Sequence, residues 1–276
     1  MPSSSCSEAP DEWASTPKRS LETLSRTVVV VIAVAAIGFG ALSGAAGNTT
    51  AMRYGLLFGL MMILAAALGA TMRTRNGDLS KDTRTVGIEA NSRGTEIRHS
   101  GTQWRLLVAL MTCSAAFFLS AAIDTVINGD QSTNMLSATL FGAVGVYLGT
   151  FPLAAAFGRI TRGGLLLSEN GVTQRGWSFE NRLSWSDIAG MKPANNGHPI
   201  IMLIAYTNTP CQRRFTSRLW KIDRLPPVPM IEIDCRKFGV EPSALLSFLS
   251  AYVDTPDNRE ELGTPAALDR ARRPAS

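Results

Sequence analysis

The sequence predicts a membrane α-helical protein with four transmembrane helices in two hairpins, followed by a C-terminal α+β domain. Residues 27–157 are rich in Ala, Leu, Gly, Val and Met and contain few charges, whereas residues 158–276 have the composition of an ordinary soluble segment. A polar segment rich in Arg separates two pairs of apolar runs. Such segments stay on the cytoplasmic side of a membrane, because Lys and Arg near helix ends resist translocation.

The composition limits the classes of partner. The chain has 276 residues, of which 45% are hydrophobic and 18% are charged, and its formal net charge is +5. In a membrane protein, this positive excess indicates orientation and contact with anionic lipid headgroups. Nucleic-acid binding requires a basic face interleaved with stacking aromatic side chains, and the sequence has no such pattern. We therefore expect membrane lipids and a protein, but no nucleic acid, as partners.

The first 72 residues are predicted to contain a tail and one transmembrane hairpin. Residues 1–26 begin with Pro, Ser, Glu and Asp and end with basic residues, which predicts a disordered N-terminal tail. Residues 27–72 form the first predicted hairpin, with spans at 27–46 and 54–72, and a span needs about 20 apolar residues. A cleaved signal peptide is the less favoured alternative, since a second apolar run follows so closely.

Residues 73–103 are predicted to be a cytoplasmic loop. If this loop lies inside, each hairpin goes out and returns, and both chain termini are cytoplasmic. This predicts a multi-pass protein of the cell membrane. Arg53, between the first two spans, is weak evidence against this orientation. The basic residues of the loop and of the start of the next span are Arg73, Arg75, Lys81, Arg84, Arg93, Arg98 and Arg105.

Residues 104–158 form the second predicted hairpin, with spans at 104–126 and 136–157. The connection between them has no Lys or Arg, which suits an outside position. Asp124 lies in the last turn of the third span, and ionisable residues within spans often mark function. Two readings stay open: an interfacial carboxylate that reaches water, or an intramembrane proton or ion site.

Small residues recur four positions apart within the spans, and such pairs allow close contact between helix backbones. They are consistent with packing within one chain or with a homo-oligomer face. The pairs are Gly40 and Gly44, Gly55 and Gly59, and Gly145 and Gly149.

Residues 159–262 are predicted to form the cytoplasmic domain. Short apolar runs alternate with turn signals such as Asn170-Gly171 and Asn196-Gly197, which is typical of a small antiparallel barrel or sandwich. A helix from Pro242 with one apolar stripe is expected to close it. Residues 263–276 are predicted to be a disordered basic tail, with room for one short helix from Pro265. The predicted strands are 165–167, 172–177, 182–185, 188–192, 200–206, 213–215 and 230–234.

The segment LLLSENGVTQRGWSFENRLSWSDIAGM, residues 165–191, resembles the opening of a bacterial pleckstrin-homology-like (PH-like) domain. The shared features are an apolar strand, a Glu-Asn-Gly turn, two further strands and the step from Trp185 to Ile188. TPDNREELG, residues 255–263, resembles the tail of membrane-attached actinobacterial members. The resemblance covers residues 160–262 and implies a bent antiparallel sheet of seven strands capped by one helix. It also implies a binding or assembly module, with Trp185 and Ile188 in the core.

The resemblance does not carry phosphoinositide binding over to this chain, because the first loop, 168–171, is short and acidic. A different basic group is a candidate for contact with anionic lipid or a protein partner, and the alternative is a solvated loop. Its residues are Arg213, Arg214, Arg218, Trp220 and Lys221.

The sequence has no phosphate-binding glycine loop, no H-E-x-x-H and no G-x-S-x-G. It has two histidines, and its four cysteines lack the spacing of a metal site. We therefore expect no enzyme activity, no cofactor and no metal. The leading hypothesis is a non-enzymatic integral membrane protein that presents a protein-binding domain at the inner leaflet. One alternative is a small transporter or channel subunit that is regulated by that domain. Another is a regulator whose loop 73–105 senses or docks an unidentified ligand or partner.

Overall fold

The computed structural model of the chain describes residues 10, 13, 19–73, 79–89, 92–128, 134–207, 212–223 and 228–272. The helices are α1 (Arg19–Ala45), α2 (Thr49–Thr71), α3 (Leu79–Asp82), α4 (Gly101–Asn128), α5 (Asn134–Ala156), α6 (Pro242–Val253) and α7 (Pro265–Arg272). The strands are β1 (Thr83–Glu89), β2 (Ser92–Arg98), β3 (Gly164–Ser168), β4 (Gly171–Arg175), β5 (Phe179–Ser184), β6 (Ile188–Asn195), β7 (Pro199–Ala205), β8 (Gln212–Phe215) and β9 (Met230–Asp234).

The chain divides into two compact units. The helical unit consists of Pro17–Thr71 and Thr102–Ile160. The sheet unit consists of Met1–Thr16, Met72–Gly101 and Thr161–Ser276. Each unit therefore collects segments that are far apart in the sequence.

Four helices are long and apolar enough to cross a membrane, as predicted. They contain candidate spans of 21, 23, 27 and 22 residues. At 1.5 Å per residue, each exceeds the roughly 30 Å thickness of a hydrocarbon core. The first helix begins at Arg19, inside the stretch predicted to be a disordered tail. The spans are Ser25–Ala45, Thr49–Thr71, Gly101–Ile127 and Met135–Ala156.

Glycines bring the backbones of α1 and α2 into contact. A Cβ atom on Gly55 would lie 2.7 Å from the Cα of Gly40 and 2.8 Å from the carbonyl oxygen of Ala36. A Cβ atom on Gly59 would lie 3.1 Å from the carbonyl oxygen of Ala33. These distances leave no room for a side chain, so packing within the chain is confirmed for these glycines.

Helix α4 contacts both of its neighbours in the helical unit. The thiol of Cys113 lies 3.5 Å from the carbonyl oxygen of Leu57 in α2. Phe117 packs edge-on against Tyr54, with ring centroids 5.6 Å apart. Trp104 at the start of α4 lies 6.3 Å from Phe151 of α5, centroid to centroid.

The sheet unit contains two antiparallel sheets. The larger has the strand order β1-β2-β3-β4-β5-β8, and the smaller has the order β6-β7-β9. The prediction that residues 73–103 form a loop was wrong, because this segment supplies α3, β1 and β2. Strand β2 pairs with β3, so that Ile97 faces Leu165 and Thr95 faces Leu167. The domain predicted at 159–262 therefore gains a hairpin.

The two sheets enclose one apolar core. Side chains of β3, β7 and β9 alternate into it, as do those on the stripe of α6, so the predicted helix is confirmed. Trp185 is buried, and its indole N–H donates to the carbonyl of Ser168 at 2.7 Å. Ile188 packs against the core at its margin. The central residues are Leu165, Leu167, Ile201, Leu203, Ile231, Ile233, Leu245, Leu249 and Tyr252.

Two buried side-chain amides join the sheets. The Gln174 amide donates to the carbonyl of Glu232 at 2.6 Å, and the Asn181 amide donates to the carbonyl of Met230 at 3.0 Å. Both carbonyls belong to β9, an end strand of the smaller sheet. Because an unpaired buried carbonyl costs about 1–3 kcal/mol, these bonds explain how the polar edge of β9 is tolerated inside.

The two predicted tails need correction. In the tail 263–276 the short helix from Pro265 is confirmed as α7, but this helix buries Ala267 and Ala271 and is therefore not part of a disordered tail. The backbone N–H of Gly263 donates to the Thr95 hydroxyl of β2 at 2.9 Å. Trp13, in the other tail, is buried and donates its indole N–H to the carbonyl of Ala194 at 3.0 Å. The remainder of the stretch before Arg19, apart from position 10, and residues 273–276 lie outside the described residues.

We predict that Gly55→Ala destabilises the helical unit by about 1–3 kcal/mol, because the added methyl group meets the backbone of α1. Gly38→Ala is the matched control, since a Cβ atom there would meet nothing within 4 Å. The measurement is resistance of the full chain to unfolding by SDS in mixed micelles. Equal resistance of the two variants would show that the α1–α2 contact is wrong.

Candidate functional site

The carboxylate of Asp124 is engaged by two residues at the start of α2. It accepts a hydrogen bond from the Tyr54 hydroxyl at 2.6 Å and forms an ion pair with the guanidinium of Arg53. Arg53 also lies over the Tyr54 ring, 5.2 Å from its centroid. This arrangement favours an interfacial ion pair over a free proton or ion site. It also gives Arg53, which counted against the predicted orientation, a partner of opposite charge.

A cavity of ≈ 350 Å³ lies within the sheet unit, and both histidines of the chain line it. His99 follows β2, and His198 lies in the turn between β6 and β7. No sequence signal links them, because the sheet brings them together from distant positions. The charged side chains that share the cavity are Asp223, Glu232, Asp234, Arg236 and Lys237.

Most of these charges are paired with one another. Asp223 accepts from the ammonium group of Lys237 and, at 2.9 Å, from the backbone N–H of Trp177. The Lys237 ammonium lies 5.0 Å from the centroid of the Trp177 ring. Asp234 accepts from the Arg236 guanidinium at 2.9 and 3.1 Å. Burial opposes ionisation of Asp234, but the bonds and charge of Arg236 outweigh it and hold the pKa below its usual value.

His99 is neutral at physiological pH. Burial, and after it the charge of Lys237, lowers the pKa of His99 to about 3. Its Nδ1 atom lies 3.1 Å from the carbonyl oxygen of Arg162, and its ring packs edge-on against Phe238 at 4.7 Å. Burial also lowers the pKa of His198, although Asp234 lies 3.6 Å from its Nε2 atom and opposes the shift.

The predicted contact group at 213–221 is only partly available to a ligand. Trp220 is buried with 8% of its surface exposed, so its assignment as a contact residue needs correction. Its backbone N–H donates to the hydroxyl of Ser217, which is also buried, and this local bond turns both residues inward. Arg213 is half-buried and donates to the carbonyl of Val228. Arg214, Arg218 and Lys221 remain exposed.

Three exposed apolar side chains stand beside these cations. Phe215 is 40% exposed, Leu219 is 55% exposed and Ile222 is 36% exposed. We call the six exposed residues the basic-apolar surface. They are Arg214, Phe215, Arg218, Leu219, Lys221 and Ile222.

The described residues contain no group of three His, Cys, Asp or Glu side chains that could hold a metal ion together. Cys113 and Cys235 are buried free thiols, whereas Cys6 and Cys211 lie outside the described residues.

We predict that His99 makes the sheet unit sensitive to acid. Its folded pKa lies below its unfolded value, so the unfolded chain binds one more proton, and stability falls as the pH drops below about 6.5. The expected slope from His99 is about 1.4 kcal/mol per pH unit. In His99→Gln this part of the slope is lost, although overall stability is lower. The measurement is denaturant unfolding of the full chain in detergent between about pH 6 and 4, and identical slopes in both proteins would refute the assignment.

We also predict that Arg53 and Asp124 act as a pair. Arg53→Met and Asp124→Asn should each weaken the helical unit, and the double variant should lose less than the sum of the two, because either change already breaks the ion pair. Unfolding in SDS micelles measures the three losses. Strict additivity would mean that the two side chains do not interact.

Comparisons with protein-family models, with curated proteins and with solved structures found no match to this chain. Its function therefore has to be inferred from the two units and their surfaces.

Proposed function

We propose that this chain is a non-enzymatic integral membrane protein whose sheet unit is a PH-like, cytosolic protein-binding or assembly domain at the inner leaflet. The observation that carries the proposal is the composition of the sheet unit. It combines β1 and β2, which precede α4, with β3 to β9, which follow α5. A bilayer does not divide a folded sheet, because strand backbone in lipid needs its hydrogen bonds satisfied. Both segments then lie on one side, and α4 and α5 cross out and back.

The same reasoning applies to the first two helices. Trp13 precedes α1 and belongs to the sheet unit, which continues after α2 from Met72. Two further crossings, out and back, satisfy this connectivity. The side that holds the sheet unit carries the basic residues Arg73, Arg93 and Arg98, whereas residues 46–48 between α1 and α2 have none. This charge distribution favours a cytosolic sheet unit.

The cavity supports binding rather than catalysis. Two of its three carboxylates are held by neighbouring cations, Asp223 by Lys237 and Asp234 by Arg236. His99 contacts a backbone carbonyl and is far from ionisation at neutral pH. Acid–base catalysis instead needs a group whose pKa is near the working pH and whose proton can reach a substrate.

The outer edge of β1 is the surface best suited to a protein partner. Strand β1 ends the larger sheet, and among the described residues only β2 pairs with it. Arg84, Thr85 and Gly87 are exposed along it. Extended peptides add to such edges through backbone hydrogen bonds. We therefore infer that a partner segment binds as an additional strand beside β1.

The alternative of a transporter or channel subunit depended on Asp124 as an ion or proton site. Its carboxylate is occupied by Arg53 and Tyr54 instead. No other observation in the described part of the helical unit favours transport.

The proposal predicts that residue 46 and the sheet unit lie on opposite sides of the membrane. In variants without native cysteines, Ala46→Cys should react with a membrane-impermeant maleimide added to intact cells. Asn195→Cys, exposed in the sheet unit at the end of β6, should react only after the membrane is permeabilised. The reverse pattern would overturn the orientation, and labelling of both sites from outside would overturn the membrane topology.

Partner binding is tested by a photo-crosslinking residue at Thr85 in living cells. The expected result is a discrete protein adduct, with none from the same residue at Asn195, an exposed position at the end of β6. Equal adducts at both positions, or none at either, would overturn binding at β1.

A further inference from the structure

The basic-apolar surface has a regular composition. Three exposed pairs follow each other, and each pair joins one cation to one apolar side chain. The buried residues between them, Ser217 and Trp220, are fixed inward by their hydrogen bond, so the neighbouring side chains turn outward. Single exposed apolar residues are normal, but three in eight positions form a continuous feature. The pairs are Arg214 and Phe215, Arg218 and Leu219, and Lys221 and Ile222.

No carboxylate among the described residues forms an ion pair with Arg214, Arg218 or Lys221. Residues 212–222 contain no Asp or Glu. The next residue, Asp223, is paired with Lys237. Glu180 lies opposite Arg214 in the strand register, but it binds Arg182 at 2.7 Å. Lys221 makes a cation–π contact with Phe215, 5.3 Å from the ring centroid, which keeps its ammonium group at the surface.

We propose that the basic-apolar surface binds anionic phospholipid at the bilayer interface. Guanidinium groups bind phosphate oxygens through short, charge-assisted hydrogen bonds. Segments that lie in the interface combine cations with Phe and Leu, whose side chains enter the boundary between headgroups and acyl chains. This mode of contact goes beyond the protein binding proposed above, since it uses a different part of the sheet unit from β1.

The chain itself supplies the bilayer. Helix α5 ends at Ala156 and the sheet unit begins at Thr161, so residues 157–160 are the whole link. A short link gives the tethered unit a high effective concentration at the membrane, and weak contacts with lipid are then sufficient. An acidic protein would satisfy the cations equally well, but nothing in the chain brings one there. Lipid is therefore the occupant that the observations favour.

The test places a spin label at Leu219→Cys in the full chain, with the native cysteines replaced. The protein is reconstituted at one copy per nanodisc, either in phosphatidylcholine or in phosphatidylcholine mixed with phosphatidylglycerol. The measurement is accessibility of the label to oxygen and to a water-soluble nickel complex. A label at Asn195→Cys, also exposed, is the matched control.

In the anionic discs, the label at position 219 should lose nickel accessibility several-fold and gain oxygen accessibility, and the label at 195 should change in neither. The protection should fall when salt rises from 0.1 M to 1 M, because the Debye length shortens from about 10 Å to about 3 Å. It should also be lost in Arg214→Gln/Arg218→Gln/Lys221→Gln. An unchanged label at 195 in this variant shows that the sheet unit is still folded.

Three results would overturn the proposal. The first is equal accessibility of position 219 in both kinds of disc. The second is protection that persists unchanged both at 1 M salt and in the triple variant. The third is protection that appears only with two copies per disc or with an added acidic protein, which would assign the surface to a second copy or to a protein. None of these results bears on crosslinking at Thr85, so the two proposals fail separately.

Discussion

The pairing of β2 with β3 is the interaction on which the rest of the structure depends. It joins a segment that precedes α4 to the strand that follows α5, and it places Thr95 and Ile97 in the interior opposite Leu167 and Leu165. Without it, the larger sheet would lose its first two strands, and the buried surface beneath them would be exposed. Helix α7 and the bond from Gly263 to Thr95 hold the C-terminal segment against the β1–β2 hairpin. Consequently α4 and α5 are bracketed by strands of one sheet, which is a strong constraint on how they can cross a bilayer.

Several buried polar side chains of the sheet unit bond to backbone carbonyls of the same unit. Gln174 and Asn181 bond the carbonyls of β9, and Trp185 bonds a carbonyl of β3. Four of the five charged residues of the cavity form two ion pairs, and burial holds the pKa of each of its two imidazoles below the usual value. The interior is therefore built for stability. The surfaces that we propose for recognition lie on the outside. In the described part of the chain, the outer edge of β1 has no neighbouring strand, and the cations of the basic-apolar surface have no carboxylate partner.

The helical unit also uses its polar groups and glycines for contacts within the unit. Its ionisable groups near the ends of α2 and α4 bond each other, and its glycines are used for close contact between α1 and α2. These features are what a membrane anchor requires: compensated charge and tight packing without a large apolar driving force between helices. The specific recognition that we propose is assigned to the sheet unit alone.

The sequence by itself determined the four apolar helices, the seven strands from β3 to β9 and the helix α6, because hydrophobic periodicity and Asn-Gly turns are local signals. It also identified Arg214, Arg218 and Lys221 as a basic group. Only the tertiary structure decided that residues 83–98 are strands, since this segment has few apolar residues and owes its conformation to pairing with β3. The direction of Trp220, the partner of Asp124 and the meeting of the two histidines in one cavity were likewise decided by tertiary contacts. Each of these three features depends on residues that are distant in the chain or on the direction in which a loop turns. Local sequence patterns predict neither property.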